Sequence, residues 1–183
     1  MLKKYTLLLS ILTALTFQAC SNDEETTNDI ISTRDFTLNG LDKKTYTIKK
    51  QGAEFILDEA KGKVIIFDIF ATWCPPCRGA ATHLTSLQKK YKEDLIILGI
   101  TIEDGISDTK LLEFRKEYNA EYILVNSKEN RALTSAIVSE LKLGERHPIP
   151  LMAMYKDGKL INHYVGATEE EFIESDIKRA LGK

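Results

Sequence analysis

The apolar positions along this chain change period several times, and each change marks an element. The densest run, Val64-Ile65-Ile66-Phe67, then Asp68, then Ile69-Phe70, is β-branched and aromatic and reads as a strand buried on both faces. Ala71-Thr72 forms a short turn, and a helical pattern follows over about 75–91. Asp94 to Ile102 is a second β run, LIILGITI. Ser107-Asp108 can cap a helix over about 109–119, with Leu111, Leu112 and Phe114 toward the core. Tyr122 to Val125 reads as a short strand, and Ser127 to Leu141 as a helix with Leu133, Ile137, Val138 and Leu141 on its apolar face.

The two ends of the patterned region alternate with period two. Residues 34–38 and 45–49 form an N-terminal β-hairpin. Residues 53–60 stay open between a short helix and a turn. Leu151–Tyr155 and Leu160–Val165 flank Asp157-Gly158, a strong hairpin signal. Thr168-Glu-Glu-Glu171 has the form of a capping box, opening a last helix with Phe172, Ile173, Ile177 and Leu181 on one face. The resulting order is hairpin, β, α, β, α, β, α, β, β, α: an α/β fold with a mixed sheet, in one domain.

The first twenty residues belong to another material. Lys3 and Lys4 precede the apolar segment Leu7 to Phe17, which has the form of a secretory signal. It ends in Phe17-Gln18-Ala19-Cys20, which resembles a bacterial lipobox with Cys20 as the acylated residue, although Phe17 and Gln18 depart from the usual residues. An ordinary signal peptide or an uncleaved anchor is the rival reading. Lipidation also accounts for the odd member of the chain's three cysteines. The division expected is a signal over 1–19, a polar tether over 20–33 and a folded domain over 34–183. Of the 183 residues, 43% are hydrophobic and 28% charged, and a net charge of −2 gives no electrostatic argument for nucleic acid.

Chemistry concentrates in Trp73-Cys74-Pro75-Pro76-Cys77. Two prolines suit the first turn of a helix, where backbone N–H groups lack partners anyway. A cysteine at that end gains from the helix dipole, which favours the thiolate. A zinc site needs about four N or S ligands, and no second cysteine pair completes one. The redox reading is therefore preferred, and it needs no cofactor. Asp68 interrupts a buried strand six residues before Cys74. A carboxyl there has a raised pKa and is read as the acid or base for the Cys77 proton, against the alternative of a strand-end Asp satisfied by a neighbouring hydroxyl.

WCPPC after an apolar strand resembles the active site of the thioredoxin superfamily, and within it the membrane-tethered TlpA/ResA type. The likeness spans about residues 34–182, with the F-x-L…L-D-x-K arrangement matching the added hairpin of that group. It implies a thioredoxin-like fold, with Cys74 attacking and Cys77, one turn in and better shielded, resolving. It also implies that Asp68 matches a buried catalytic aspartate. Pro150 after Ile149 stands where such proteins carry a cis-proline that aligns the substrate backbone, with Trp73 offering an apolar face. The acid that ResA-type proteins carry three residues after the second cysteine is here Ala80, and the usual helix-kinking proline is here Thr82. Arg78, His83, His147 and His163 are read as surface, loop or packing residues.

The function expected is a monomeric, lipid-anchored, extracytoplasmic thiol:disulfide oxidoreductase acting as a reductant of protein disulfides, with apocytochrome c cysteines one implied substrate class. It would be recharged by a membrane electron-donor thiol protein. The rivals are a disulfide-forming oxidant or isomerase, and a metal-binding module using Cys74, Cys77 and His147. Against the latter, copper carriers of this fold typically space their cysteines by three residues rather than two. The pattern Pro-x-x-x-Thr-x-x-Cys of a lone-cysteine peroxidase is absent.

Overall fold

The computed structural model describes residues 33–144 and 146–183. Strands β4 (Val64–Phe70), β5 (Leu95–Thr101), β6 (Ile123–Val125), β7 (Leu151–Lys156) and β8 (Lys159–Val165) form a five-stranded sheet in the order β6-β5-β4-β7-β8. The first three run parallel, and β7 and β8 are antiparallel additions. Parallel neighbours need crossover helices, and α1 (Pro75–Lys90) and α2 (Asp108–Tyr118) supply them for β4-β5 and β5-β6. Helices α3 (Asn130–Glu140) and α4 (Glu170–Leu181) complete the layers. The fold is thioredoxin-like.

Strand β4 lies at the centre and is buried at every position. Because successive side chains point to opposite faces, Val64, Ile66 and Phe70 join the core under α1, α2 and α4. Ile65, Phe67 and Ile69 join a second core under α3 and a smaller sheet. Asp68 keeps the parity of Ile66 and Phe70, so it faces the layer that holds the cysteines.

The smaller sheet is antiparallel, in the order β1 (Thr33–Asn39), β2 (Thr45–Gln51), β3 (Glu54–Leu57). The expected hairpin is β1-β2. The segment left open over 53–60 becomes a third strand and a single 3-10 turn. Gly52, with φ 57°, makes the tight turn between β2 and β3, and Phe55 and Leu57 alternate into the second core. This sheet is tied to both sides of the larger one. Leu41 N–H donates to Leu124 C=O at 3.0 Å, and Phe55 N–H donates to Gly158 C=O at 2.9 Å.

Four local expectations are corrected. Leu112 and Phe172 are exposed, at 47% and 67%; each sits beside a residue that takes the core position, Leu111 and Ile173. The capping box does not form. Thr168 Oγ1 donates to Gly166 C=O, and α4 opens after Glu169 without a side-chain cap. Helix α3 starts at Asn130 rather than Ser127, whose hydroxyl donates instead to Thr37 C=O at 2.9 Å. In keeping with a threonine in place of the kinking proline, helix α1 runs unbroken through Thr82.

Candidate active site

Strand β4 ends at Phe70, and the chain reaches α1 through Ala71-Thr72-Trp73. Cys74 is the N-cap of α1 and Pro75 and Pro76 fill its first turn. Neither proline has an N–H, so Cys77 N–H is the first backbone donor of the helix, and it points at Cys74 Sγ at 3.4 Å. Cys74 and Cys77 form a disulfide with their Cα atoms 5.3 Å apart. In the reduced state the same geometry gives a Cys74 thiolate one charge-assisted backbone bond and the positive end of the helix.

The expected difference in exposure between the two cysteines is not seen: Cys74 is 3% and Cys77 2% exposed. Both belong to the buried cluster beneath α1. What separates them is position. Cys74 borders Trp73, which is 59% exposed, and its Sγ lies 3.7 Å from Ile149 C=O. The Ile149–Pro150 peptide is cis, and Pro150 C=O accepts from Gly166 N–H at 2.8 Å, which joins the loop to the end of β8. Trp73, Ile149 and Pro150 thus border Cys74.

Asp68 is 2% exposed. Tyr122 O–H donates to its Oδ2 at 2.9 Å, and Oδ1 has no hydrogen-bond partner. Burial pushes the carboxyl up to about 7, and the Tyr122 hydrogen bond pulls the other way. Near neutral pH the group can therefore take up or release a proton, the property a general acid or base requires. By its parity with Ile66 and Phe70 on β4, Asp68 faces the layer whose buried cluster includes both cysteines.

Two side chains at the site carry no strong sequence signal. Glu103, just past β5, accepts from Thr72 N–H at 2.6 Å, from Thr72 Oγ1 at 3.1 Å and from Lys110 Nζ at 3.2 Å. Burial raises its pKa, but these bonds outweigh burial and hold the carboxyl below its ordinary value. Arg78, read from sequence as a surface residue, donates through Nε to Thr72 C=O at 2.9 Å and stacks 5.0 Å from the centre of the Tyr118 ring. Both polar groups of the Thr72 backbone are thus engaged, and the turn before Cys74 is clamped from both sides. The one available hint was position, since groups at the carboxyl ends of parallel strands border sites in open α/β sheets. Thr72, Trp73, Arg78, Glu113, Phe114 and Tyr118 line an open hollow of about 320 Å³ next to the cysteines.

His147 faces α3, lining a different hollow with Arg131, Thr134 and Ser139. Among the described residues no group of three or more His, Cys, Asp or Glu side chains is placed to hold a metal ion. No described helix is long and apolar enough to cross a membrane. Cys20, the expected signal over 1–19 and most of the tether over 20–33 lie outside the described residues.

The redoxin family profile matches residues 26–181. The thiol-disulfide oxidoreductase ResA of Bacillus thuringiensis (strain Al Hakam) is 25% identical over 130 residues, covering 70% of this chain and 70% of that protein. Among solved structures, a thiol:disulfide interchange protein of the thioredoxin family from Chlorobium tepidum superposes with a TM-score of 0.60 at 20% identity, covering 81% of this chain and 94% of that one. The pneumococcal exposed lipoprotein thioredoxin from Streptococcus pneumoniae strain TIGR4 superposes with a TM-score of 0.57 at 22% identity, covering 80% and 99%.

Proposed function

The chain belongs to the redoxin family of the thioredoxin superfamily, as a thiol:disulfide oxidoreductase of the TlpA/ResA type, and on that footing we propose that it reduces protein disulfides outside the cytoplasm while anchored to a bacterial membrane through a lipid on Cys20. The observation that carries the chemistry is the Cys74–Cys77 pair at the start of α1, with the Cys77 N–H aimed at Cys74 Sγ.

In the reducing direction the Cys74 thiolate attacks one sulfur of a substrate disulfide. A Cys74–substrate disulfide forms, and the other substrate sulfur leaves as a thiolate that takes a proton from solvent. Cys77 then gives its proton to the Asp68 carboxylate and attacks Cys74 Sγ. The mixed disulfide breaks, the second substrate thiolate leaves and is protonated, and the protein is left with its Cys74–Cys77 disulfide. Two electrons have passed to the substrate. A membrane dithiol protein restores the pair by the same exchange in reverse, with Asp68 returning its proton to the departing Cys77 sulfur. Trp73 gives the partner an apolar face, and Ile149 and Pro150 border its backbone beside Cys74.

The reducing direction is supported by Pro75 and Pro76. They remove two N–H groups that would otherwise stabilise the Cys74 thiolate, and a less favoured thiolate makes the dithiol form the better electron donor. No histidine lies within the motif. The anchored location is supported by the Lys3-Lys4, Leu7–Phe17 and Ala19-Cys20 pattern and by the likeness to a solved structure that is itself an exposed lipoprotein. On this reading residues 1–19 are the signal, 20–33 the tether and 34–183 the catalytic domain. Substrates are proteins, with apocytochrome c cysteines one class implied by the TlpA/ResA likeness.

Changing Cys77 to Ser tests the attack order. The variant should accumulate mixed disulfides through Cys74, seen as higher bands on a non-reducing blot that collapse on reduction. Mixed disulfides accumulating in Cys74→Ser instead, with none in Cys77→Ser, would reverse the assignment.

A further inference from the structure

Asp68 is the titrating group at the site, and one residue distant in sequence reaches it. Tyr122 lies immediately before β6, is buried, and donates its hydroxyl to Asp68 Oδ2 at 2.9 Å. The approach is built into the sheet. Gly99 on β5 sits directly opposite Asp68 in the parallel register. A Cβ at Gly99 would come within 2.9 Å of Tyr122 Cε2 and 2.7 Å of Leu124 Cδ2, closer than carbon atoms pack. Glycine in a strand interior marks a close approach, and here the approaching groups are the Leu124 side chain and the Tyr122 ring. From the far side, Arg115 Nη2 donates to Tyr122 C=O at 3.1 Å. The tyrosine is thus held at its backbone and admitted at its ring.

We propose that Tyr122 is the positioning residue for Asp68: it occupies Oδ2, leaving Oδ1 as the oxygen that takes up and returns the exchange proton, and so sets the pH at which the carboxyl is ready to act. This rests on the assignment of Asp68 as the proton acceptor for Cys77.

The phenol is the only group donating to this carboxyl among the described residues. Strand β5 presents Gly99 and β7 presents Met152 at the same register. Helix α1 presents the two cysteines and α4 presents Ile173 and Ile177 in the same cluster. Of the cations on α2, Arg115 is the one whose charge bears on Tyr122. With no cation beside the carboxylate, the Tyr122 hydrogen bond is what offsets desolvation. Oδ1 is buried without a partner, which costs stability and fits an oxygen reserved for a transferred proton.

The test compares wild type, Tyr122→Phe, Gly99→Ala and Asp68→Asn in the domain's disulfide-exchange rate across pH, with far-UV circular dichroism confirming the fold of each. Phenylalanine keeps the ring and removes only the donor. Carboxylate character then becomes harder to reach, so the acid limb moves up by about one pH unit. Around pH 7 the rate falls about fivefold, as the carboxylate fraction drops from about one half to about one tenth. Gly99→Ala crowds both Leu124 and the Tyr122 ring, displaces the phenol and moves the limb the same way. Asp68→Asn abolishes the limb. If Asp68→Asn removes the limb but Tyr122→Phe and Gly99→Ala superimpose on wild type, Tyr122 is structural and the inference falls while the Asp68 assignment stands. If Asp68→Asn leaves the profile unchanged, the assignment itself falls.

Discussion

A carboxyl group sealed in a hydrophobic layer has to be either neutral or useful, and Asp68 is poised between the two. Its folded pKa of about 7 lies above the ordinary 3.8, so the native state binds the proton more tightly than the unfolded chain does. Stability from this group is therefore fully present below about pH 4 and is lost as pH rises through about 7. The size is on the order of 4 kcal/mol across that window. Asp68→Asn has no charge to bury. Denaturant unfolding of the oxidised domain should show the variant gaining on wild type between pH 5 and pH 8, by a few kcal/mol. Parallel pH dependences in the two proteins would mean that Asp68 stays charged and solvated. The anomaly itself was legible, because one acidic residue in VIIFDIF has no surface face to occupy. Its partner was not: Tyr122 lies 54 positions away, and only the register of β4 on β5 shows that Gly99 clears its path.

Elements were read best where pattern and burial coincide. Strand β4, helix α1 and the β7-β8 hairpin follow from an apolar run broken only by Asp68, two prolines in the first helical turn and an Asp-Gly turn. Helix faces were read less well, because adjacent apolar residues compete for one buried stripe. In α4, Ile173 takes the core position while Phe172 stands in solvent. Ile173→Ala should cost about 2–4 kcal/mol of unfolding free energy, whereas Phe172→Lys should change it by less than about 0.5 kcal/mol. Equal losses in chemical denaturation would mean that Phe172 is covered in solution. Helix starts were read unevenly: Ser107 caps α2 as expected, its Oγ accepting from Lys110 N–H. Helix α4 starts one residue later than Thr168 would cap it, and the Thr168 hydroxyl donates to Gly166 C=O; helix α3 starts past Ser127, whose hydroxyl donates to Thr37 C=O while accepting from Glu129 N–H. The clamp on the Thr72 turn was hidden, since Glu103 meets Thr72 only after the parallel sheet has formed.

At the scale of the whole molecule, the five-stranded sheet fixes a rigid platform whose central strand delivers both the redox motif and its buried acid to one face. The smaller sheet completes the core on the other face. Its third strand, Glu54–Leu57, runs straight into a 3-10 turn, so the sequence over 53–60 shows no single period. The family and the α/β order were legible from WCPPC and from the alternation of apolar periods. The direction of electron flow is a property of the assembled site, and it is the central claim. It is tested most directly by equilibrating the Cys74–Cys77 pair of the domain without residues 1–20 against redox buffers of known potential. A value near or below about −250 mV, in the range of reducing dithiols, is the predicted result. A value near or above about −150 mV would make the protein a donor of disulfides and contradict the account.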